Sequence, residues 1–201
     1  MIKRAFDVVL SGFGLLVSAP LWVLFAAAIK LQDGGPIFFT QERVGRAGLV
    51  FKALKFRSMI VDADAATGPK QAQRHDTRVT PVGRLLRATA MDELPQLWNI
   101  FCGDMSFVGP RPLRPGEIEV SGDGTFVRLE QVPGYDERHR IRPGLTGVTQ
   151  VFAPRDVPVA DKFRLDLQYT ERASLWFDVK LILLSFWITI RGRWEHDGSK
   201  I

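Results

Sequence analysis

The stretch VVLSGFGLLVSAPLWVLFAAAI, residues 8–29, contains no charged side chain over 22 positions. A straight helix of this length would be about 33 Å long, which is enough to cross the hydrocarbon core of a bilayer. Pro20 lies near its middle and removes one backbone hydrogen bond, so it bends or breaks a helix. The sequence therefore predicts a membrane-embedded segment made of two helical halves.

The charges around this segment are basic at both ends. Lys3 and Arg4 precede it, and Lys30 follows it. Positive residues favour the cytoplasmic side, so a hairpin that enters and leaves the same leaflet satisfies both ends. Hydropathy alone supports a plain transmembrane span equally well. A cleavable signal peptide is a third reading, but Pro20 would be the first mature residue and Asp7 is atypical of such a leader.

The bulk composition fits one compact domain with a membrane-seeking appendage, divided into residues 1–33 and 34–201. The 201 residues are 46% hydrophobic and 24% charged. The single cysteine, Cys102, cannot form an intramolecular disulfide, so a reducing cytoplasmic setting is permitted. The net charge of +5 suits nucleic acid, an anionic membrane or a phosphate-rich substrate. Its even spread disfavours a nucleic-acid-binding arm.

The remaining pattern predicts an α+β fold, a small and mostly helical globular domain with a short β-hairpin. Residues 37–41 and 49–56 are rich in β-branched and aromatic side chains and flank a glycine-containing turn, which predicts the hairpin. Apolar residues at helical spacing predict helices over 81–91, 161–172 and 174–191.

The last predicted helix, at 174–191, is too short in its uncharged part to span a bilayer. Only ten uncharged residues lie between Lys180 and Arg191. Three tryptophans, which are favoured at the headgroup boundary, lie in or near it: Trp176, Trp187 and Trp194. An interfacial helix lying in the membrane plane is favoured, and a buried core helix is the alternative.

The strongest chemical signal is the pair of adjacent carboxylates, Asp92 and Glu93, just before Pro95. A proline fits only in the first turn of a helix, and Gly103 is a natural helix end. A helix entered near Asp92 would surround both carboxylates with free N–H groups, favouring their ionised forms and any phosphate. Four arginines flank the pair in sequence: Arg84, Arg87, Arg111 and Arg114.

A second basic pair ends the predicted hairpin. Lys55 and Arg57 are two residues apart and therefore lie on one face of a strand. They could clamp a phosphate, or they could simply protect a solvated strand edge with charge. The pattern alone leaves both readings open.

Taken together, these motifs resemble the small monotopic phosphoglycosyl transferases, which are bacterial initiating sugar-phosphate transferases. The resemblance covers nearly the whole chain, and six segments in the same order make it specific. They are KRAFD at 3–7, FTQERVG at 39–45, FKALKFRSM at 51–59, DELPQLWN at 92–99, GDMSFVGPRP at 103–112 and RPGLTG at 142–147.

The resemblance implies transfer of a sugar 1-phosphate from a UDP-sugar to a polyprenol phosphate such as undecaprenyl phosphate, with release of UMP. It also implies a re-entrant N-terminal hairpin at the cytoplasmic face of the bacterial inner membrane. The expected partners are these two substrates and the bilayer, with no nucleic acid, and a homodimer is compatible with the family.

The resemblance also implies residue roles. Asp92 matches the nucleophile that forms a phosphosugar-aspartyl intermediate, and Glu93 matches its partner. The family requires Mg²⁺, which is associated with these two carboxylates. Residues in the basic and proline-containing motifs are expected to bind substrate: Lys55, Arg57, Arg87, Pro110, Arg111, Pro112 and Arg142. The membrane break, commonly Ser-Pro, is here Ser18-Ala19-Pro20, so a serine hydroxyl is displaced by one residue.

Three other classes compete with this reading. A basic nucleic-acid-binding protein explains the net charge but not the uncharged N-terminal segment. A membrane-anchored scaffold explains the segment but needs no carboxylate pair. A membrane-anchored glycosyltransferase would use a similar donor but release UDP instead of UMP.

Overall fold

The computed structural model describes residues 1–63, 76–120, 126–154 and 157–191. This part of the chain contains the following helices and strands in order: α1 (Ile2–Asp33), β1 (Phe38–Val44), β2 (Val50–Phe56), α2 (Pro81–Ala88), α3 (Gln96–Cys102), β3 (Ser106–Val108), β4 (Ile118–Val120), β5 (Phe126–Arg128), α4 (Tyr135–Arg138), β6 (Gly144–Thr146), α5 (Val148–Phe152), α6 (Val159–Arg172) and α7 (Leu175–Ile190). β1 pairs with β2 and β4 with β5, both antiparallel, whereas β3 and β6 are parallel. The predicted α+β class is confirmed.

The predicted break in the first helix is not observed, whereas a bend at Pro20 remains a prediction. α1 is helical from Ile2 to Asp33 with Pro20 inside it. A proline removes one hydrogen bond, here to the carbonyl of Leu16, and the helix continues on both sides of it. The Ser18 hydroxyl lies 3.5 Å from the Leu15 carbonyl and accepts from the Trp22 indole, so it does not cover the freed carbonyl.

α1 packs against the domain with its polar side inward. Its buried residues are Asp7, Ser11, Ser18 and Ile29. Half of its large apolar side chains point outward and are more than half exposed: Ile2, Val9, Phe13, Leu16, Val17, Val23, Leu24 and Leu31. Among the described residues, α1 is also the one helix long and apolar enough to cross a bilayer. This inverted arrangement suits a helix whose outer surface contacts lipid.

The KRAFD motif anchors the start of α1 to three elements of the domain. Lys3 contacts Asp178 of α7 at 2.5 Å, and Arg4 donates to the last carbonyls of α3. The buried carboxylate of Asp7 accepts from the Ser106 hydroxyl and the Phe107 N–H of β3, both at 3.1 Å. The basic residues that we interpreted as a topology signal are therefore also structural contacts.

The far end of α1 is held to the same domain. Ile29 packs with Phe56 of β2 and Leu86 of α2 in one buried cluster. Asp33 forms an ion pair with Arg57 just after β2, and Gly34 then ends the helix in the left-handed conformation. α1 is about 48 Å long, and the domain contacts it at both ends.

The C-terminal helices complete the core. α7 buries Leu181 and Ile188 in a cluster with Tyr169 of α6. Its opposite side exposes large apolar side chains: Trp176, Leu183, Phe186, Trp187 and Ile190. The predicted helix is confirmed. It is partly a core helix, because one face is buried, and its other face is exposed, as an interfacial helix requires. Trp194 lies outside the described residues.

We expect the contact between Lys3 and Asp178 to matter for stability. Asp178 is 1% exposed and also accepts from the Tyr169 hydroxyl, so Lys3→Met leaves a buried carboxylate without its cation. We predict a loss of about 1–3 kcal/mol in the free energy of unfolding. The Lys3→Met/Asp178→Asn double variant should recover part of it. Thermal unfolding in detergent checks this, and a single variant as stable as the parent would contradict it.

Candidate active site

The carboxylate pair lies in a 3₁₀ turn, Met91–Glu93, between α2 and α3. The predicted helix end at Gly103 is confirmed, but the predicted start is wrong, because α3 begins only at Gln96. The N–H groups of Glu93 and Leu94 donate to carbonyls three residues back, at 3.3 and 3.2 Å. They are therefore not free to surround the pair, and its charges must be balanced by side chains.

An open cleft lies beside Glu93. Its walls come from the hairpin, the start of α3, the Pro-Arg-Pro segment, β6 and α5, with these lining residues: Arg43, Ala53, Lys55, Glu93, Gln96, Arg111, Pro112, Gly144, Leu145 and Gln150. Three of them are cationic beside one carboxylate. A cleft of this character suits an anionic ligand.

The hairpin register explains how two of these cations reach one wall. Lys55 is opposite Phe39 and Arg43 is opposite Phe51, so Lys55 and Arg43 point to the same face of the antiparallel pair. The Asn99 side chain of α3 fixes this wall, because it accepts from Leu54 N–H at 2.9 Å and donates to the Lys52 carbonyl at 2.9 Å. The hairpin is thereby locked to the helix that follows the carboxylates.

The two carboxylates differ in their surroundings. Glu93 forms an ion pair with Lys55, and although burial opposes ionisation, the charges of Lys55 and Arg111 keep the pKa of Glu93 below its usual value. Burial and the neighbouring Glu93 charge raise the pKa of Asp92 to about 6. Asp92 forms no ion pair with any residue in the described ranges. The pair therefore offers one neutralised carboxylate and one unpaired carboxylate.

Arg43 is a site residue that the sequence reading missed. Burial, together with the charges of Arg111 and Arg114, lowers its pKa to about 10. Its guanidinium donates to the Pro112 carbonyl at 2.9 Å and to the Gln41 side chain at 2.5 Å. It lies in the quoted FTQERVG motif, and the hairpin register with Lys55 was the signal that could have identified it.

The other predicted substrate-binding residues are distributed more widely. Arg87, in α2, lowers the pKa of Asp92 through its charge and so lies near the pair. Arg57 is 6% exposed and contacts Asp33, not the cleft. Arg142 donates to the Gly103 carbonyl at 2.6 Å, at the end of α3. Substrate binding by Arg57 and Arg142 remains a prediction.

The last two glycine-containing motifs pack backbone to backbone. β3 and β6 pair in parallel, and an added Cβ at Gly144 would overlap the main chain of Gly109. The Gly144 N–H donates to the Pro110 carbonyl at 2.9 Å. Glycine is needed at this approach because a side chain would separate the strands that carry Arg111 to the cleft.

The carboxylate pair also fits a magnesium ion. Mg²⁺ is commonly held by one or two carboxylates, with waters and substrate phosphate oxygens completing its coordination. The described residues contain no cluster of three or more histidine, cysteine or acidic side chains. Asp92 forms no ion pair with the described residues, and burial and Glu93 raise its pKa more than Lys55 and Arg87 lower it. The two adjacent carboxylates therefore suit a magnesium ion that both of them hold and whose coordination a substrate phosphate would complete.

The pKa of Asp92 predicts an acid limb in the activity. If Asp92 reacts as a carboxylate, kcat/KM should rise with pH until Asp92 is ionised and then level off, at about pH 6 for the metal-free pair and lower where a magnesium ion is bound. Lys55 lowers the pKa of Asp92, so Lys55→Met should move this limb to higher pH. A pH profile of both proteins at one fixed magnesium concentration checks this, and an unshifted limb would contradict it.

The structure thus shows a cation-lined cleft with a carboxylate in its wall, in a domain packed against a long apolar helix. The chain belongs to the bacterial sugar transferase family, which it matches over residues 1–192. The family assignment made from the six motifs is thereby confirmed.

Named relatives support this membership. An undecaprenyl-phosphate glucose phosphotransferase of Komagataeibacter xylinus is 43% identical over 188 residues, covering 91% of this chain but 35% of the relative. The exopolysaccharide production protein ExoY of Rhizobium meliloti (strain 1021) is 37% identical, covering 90% and 82%. A UDP-glucose:undecaprenyl-phosphate glucose-1-phosphate transferase of Caulobacter vibrioides is 43% identical, covering 90% and 67%. This chain thus spans about a third of the first and more of the others.

Proposed function

We propose that the protein transfers a sugar 1-phosphate from a UDP-sugar to undecaprenyl phosphate, releasing UMP. The observation that carries this is the carboxylate pair whose Glu93 lines a cation-rich cleft, with Asp92 adjacent to it, in a chain similar to enzymes named for that transfer. The product, a polyprenyl diphosphate sugar, would begin the assembly of a glycoconjugate or polysaccharide.

In the first proposed step, a carboxylate oxygen of Asp92 attacks the β-phosphorus of the donor. The bond from that phosphorus to the bridging oxygen breaks, and UMP leaves with the electron pair. Asp92 is the better candidate for attack because Lys55 already pairs with Glu93. A covalent intermediate divides one difficult transfer into two displacements.

In the second proposed step, a phosphate oxygen of the lipid acceptor attacks the same phosphorus. The acyl phosphate bond breaks and returns the carboxylate of Asp92. One site thus serves a water-soluble donor and a lipid acceptor in turn, which predicts ping-pong kinetics.

The cations of the cleft carry the electrostatic part of the reaction. Negative charge grows on the leaving and equatorial oxygens, and Arg43, Arg111 and Lys55 line the space where these oxygens would lie. A magnesium ion held by Asp92 and Glu93 would supply further charge neutralisation. Arg111 is exposed and can approach a ligand without breaking a contact in the fold.

The first donor to test is UDP-glucose. The Caulobacter vibrioides and Escherichia coli relatives are both named for transfer of glucose 1-phosphate from UDP-glucose, and the latter is 39% identical over 191 residues. The ExoY relative is named for exopolysaccharide production without a stated sugar, so a panel of UDP-hexoses is the appropriate assay.

We further propose that α1 is re-entrant and that the domain lies on the cytoplasmic side of the inner membrane. The support is geometric, because Lys3 at one end and Asp33 at the other both contact the same domain. A helix that crossed the bilayer would hold one end about 30 Å away on the far side. The outward apolar faces of α1 and α7 would then lie in one leaflet.

Cysteine labelling tests this topology. A cysteine at position 2 in a Cys102→Ala background should react with an impermeant maleimide only when the cytoplasmic side is accessible. Position 2 lies at the very start of α1, before the uncharged stretch, and replacing the exposed Cys102 leaves the new cysteine as the single reporter. Labelling of intact cells from the periplasm would instead show a span.

The reaction class is tested with a donor labelled at the β-phosphate. With purified protein, magnesium and undecaprenyl phosphate in detergent, the label should enter the lipid fraction together with the sugar. Sugar in the lipid without this phosphate would identify a glycosyltransferase and overturn the proposal. No label in lipid and salt-sensitive nucleic-acid binding would favour the basic-protein alternative.

A further inference from the structure

The segment Pro110–Leu113, here called the Pro-Arg-Pro strap, has every carbonyl held by a different donor. The four donors come from β6, α4 and β1, at distances of 2.8–2.9 Å: Gly144 N–H to Pro110, Arg138 Nη2 to Arg111, Arg43 Nη1 to Pro112 and Val44 N–H to Leu113. Two prolines within the strap also fix their own φ angles. The main chain is therefore rigid where Arg111 leaves it.

The donor to Arg111 is itself deeply buried. Arg138 is 1% exposed and forms an ion pair with Asp166 of α6, with Nη2 2.7 Å from Oδ2. Its guanidinium carbon lies 4.6 Å from the centre of the Phe163 ring. Because Nη2 bonds both Asp166 and the Arg111 carbonyl, the ion pair and the strap share one donor.

The groups around Arg138 hold its guanidinium in one orientation. Thr149 of α5 donates to the other oxygen of Asp166. His139 donates from Nδ1 to the Tyr135 carbonyl at 2.7 Å, which leaves Nε2 as the acceptor facing Arg138 Nη1 at 3.4 Å. Burial and the Arg138 charge lower the pKa of His139 to about 4, so the ring is neutral at pH 7. A neutral acceptor beside the guanidinium adds no second positive charge.

We propose that Arg138 is a positioning residue, which directs the Arg111 side chain into the cleft by holding the carbonyl of Arg111 from the buried Asp166 ion pair. This role rests on the proposed function, because it assumes that Arg111 contacts the donor phosphates. Arg138 cannot contact a ligand at 1% exposure, so it acts through the strap.

The hydrogen bond from Arg138 to the Arg111 carbonyl should affect the reaction rate as well as stability, because it fixes the position of Arg111. A displacement of about 1 Å in a phosphate-contacting group costs on the order of 10²-fold in rate. Lysine at position 138 keeps the charge near Asp166 but has no planar fork to bond both Asp166 and the strap. Arg138→Lys should therefore loosen the strap and spare most of the ion pair.

A double-mutant cycle separates positioning from general stability. Arg138→Lys should lower kcat/KM by about 10–100-fold when Arg111 is present. In the Arg111→Ala background it should lower kcat/KM by no more than about twofold, because nothing remains to be positioned. Arg164→Lys, at an exposed arginine of α6 paired with Asp161, is the matched control and should change neither value.

The dissociation constant of UMP is also measured by calorimetry for the four proteins of this cycle. Equal losses in the two Arg111 backgrounds, in both rate and UMP affinity, would overturn the proposal and leave Arg138 as a core residue. If Arg138→Lys does not fold, the variant Thr149→Val takes its place in the cycle, because it removes one hydrogen bond to Asp166. Absence of turnover by the parent protein would overturn the proposed function instead, and the UMP affinities would still decide the positioning role.

Discussion

Asp92→Asn is expected to reduce turnover by about 10³-fold or more, because an amide cannot form the acyl phosphate. The same change should stabilise the fold at pH 7.5. Burial and the Glu93 charge raise the pKa of Asp92 from 3.8 to about 6, so the folded protein binds its proton more tightly than the unfolded chain does. The resulting stabilisation is present below about pH 4 and is lost as pH rises through 6.

At pH 7.5 the ionised Asp92 therefore opposes folding, and asparagine removes this cost. After allowance for the partly exposed position, we expect a gain of about 1 kcal/mol, or about 2–4 °C in Tm. Asp161→Asn on the exposed face of α6 is the matched control and should change neither activity nor Tm appreciably. Activity within tenfold of the parent, or a lower Tm at pH 7.5, would contradict the assignment of Asp92.

Arg111→Ala is expected to lower kcat/KM by about 10²–10³-fold, the usual cost of removing one preorganised donor to developing charge. Its stability should not fall. The Arg111 side chain is exposed, and the strap is held through main-chain carbonyls that alanine retains. Its charge also lowers the pKa of Arg43, so removing it relieves a repulsion within the cleft.

The matched control for Arg111 is Arg114→Ala in the same segment. Arg114 adds charge near Arg43 but does not line the cleft. We expect less than a threefold change in kcat/KM for this control, because solvent and salt screen the charge of Arg114 from the cleft. Thermal unfolding and steady-state kinetics on both variants decide the matter. A parallel loss of Tm and activity in Arg111→Ala would assign Arg111 a structural role.

Local patterns in the sequence predicted most of the elements around the site. The hairpin, the end of α3 at Gly103, and α7 followed from strand composition, a left-handed glycine and helical spacing. Pro20 predicted a break in α1, but the helix continues from Ile2 to Asp33 and both of its ends are held by contacts with the domain. Sequence spacing cannot weigh these contacts, since they join residues far apart in the chain.

Only part of the candidate site could be predicted from the sequence. The adjacency of Asp92 and Glu93 is visible in sequence, but their unequal pKa values depend on Lys55 arriving from another element. Arg57 is two residues from Lys55 in sequence, but it lies just past the end of β2 and pairs with Asp33 of α1. Arg138 gave no local signal, because its partners come from the strap and from α6. Tertiary contacts decide which arginine meets the cleft and which supports it.

The most direct test of the central claim is the nucleotide released by purified protein from UDP-glucose with magnesium and without acceptor. We predict a burst of about one equivalent of UMP per active enzyme, lost in Asp92→Asn, with multiple turnovers only after undecaprenyl phosphate is added. Other UDP-hexoses are run in parallel so that donor choice is not mistaken for inactivity. Release of UDP, or of UMP only when acceptor is present, would contradict a double displacement at Asp92.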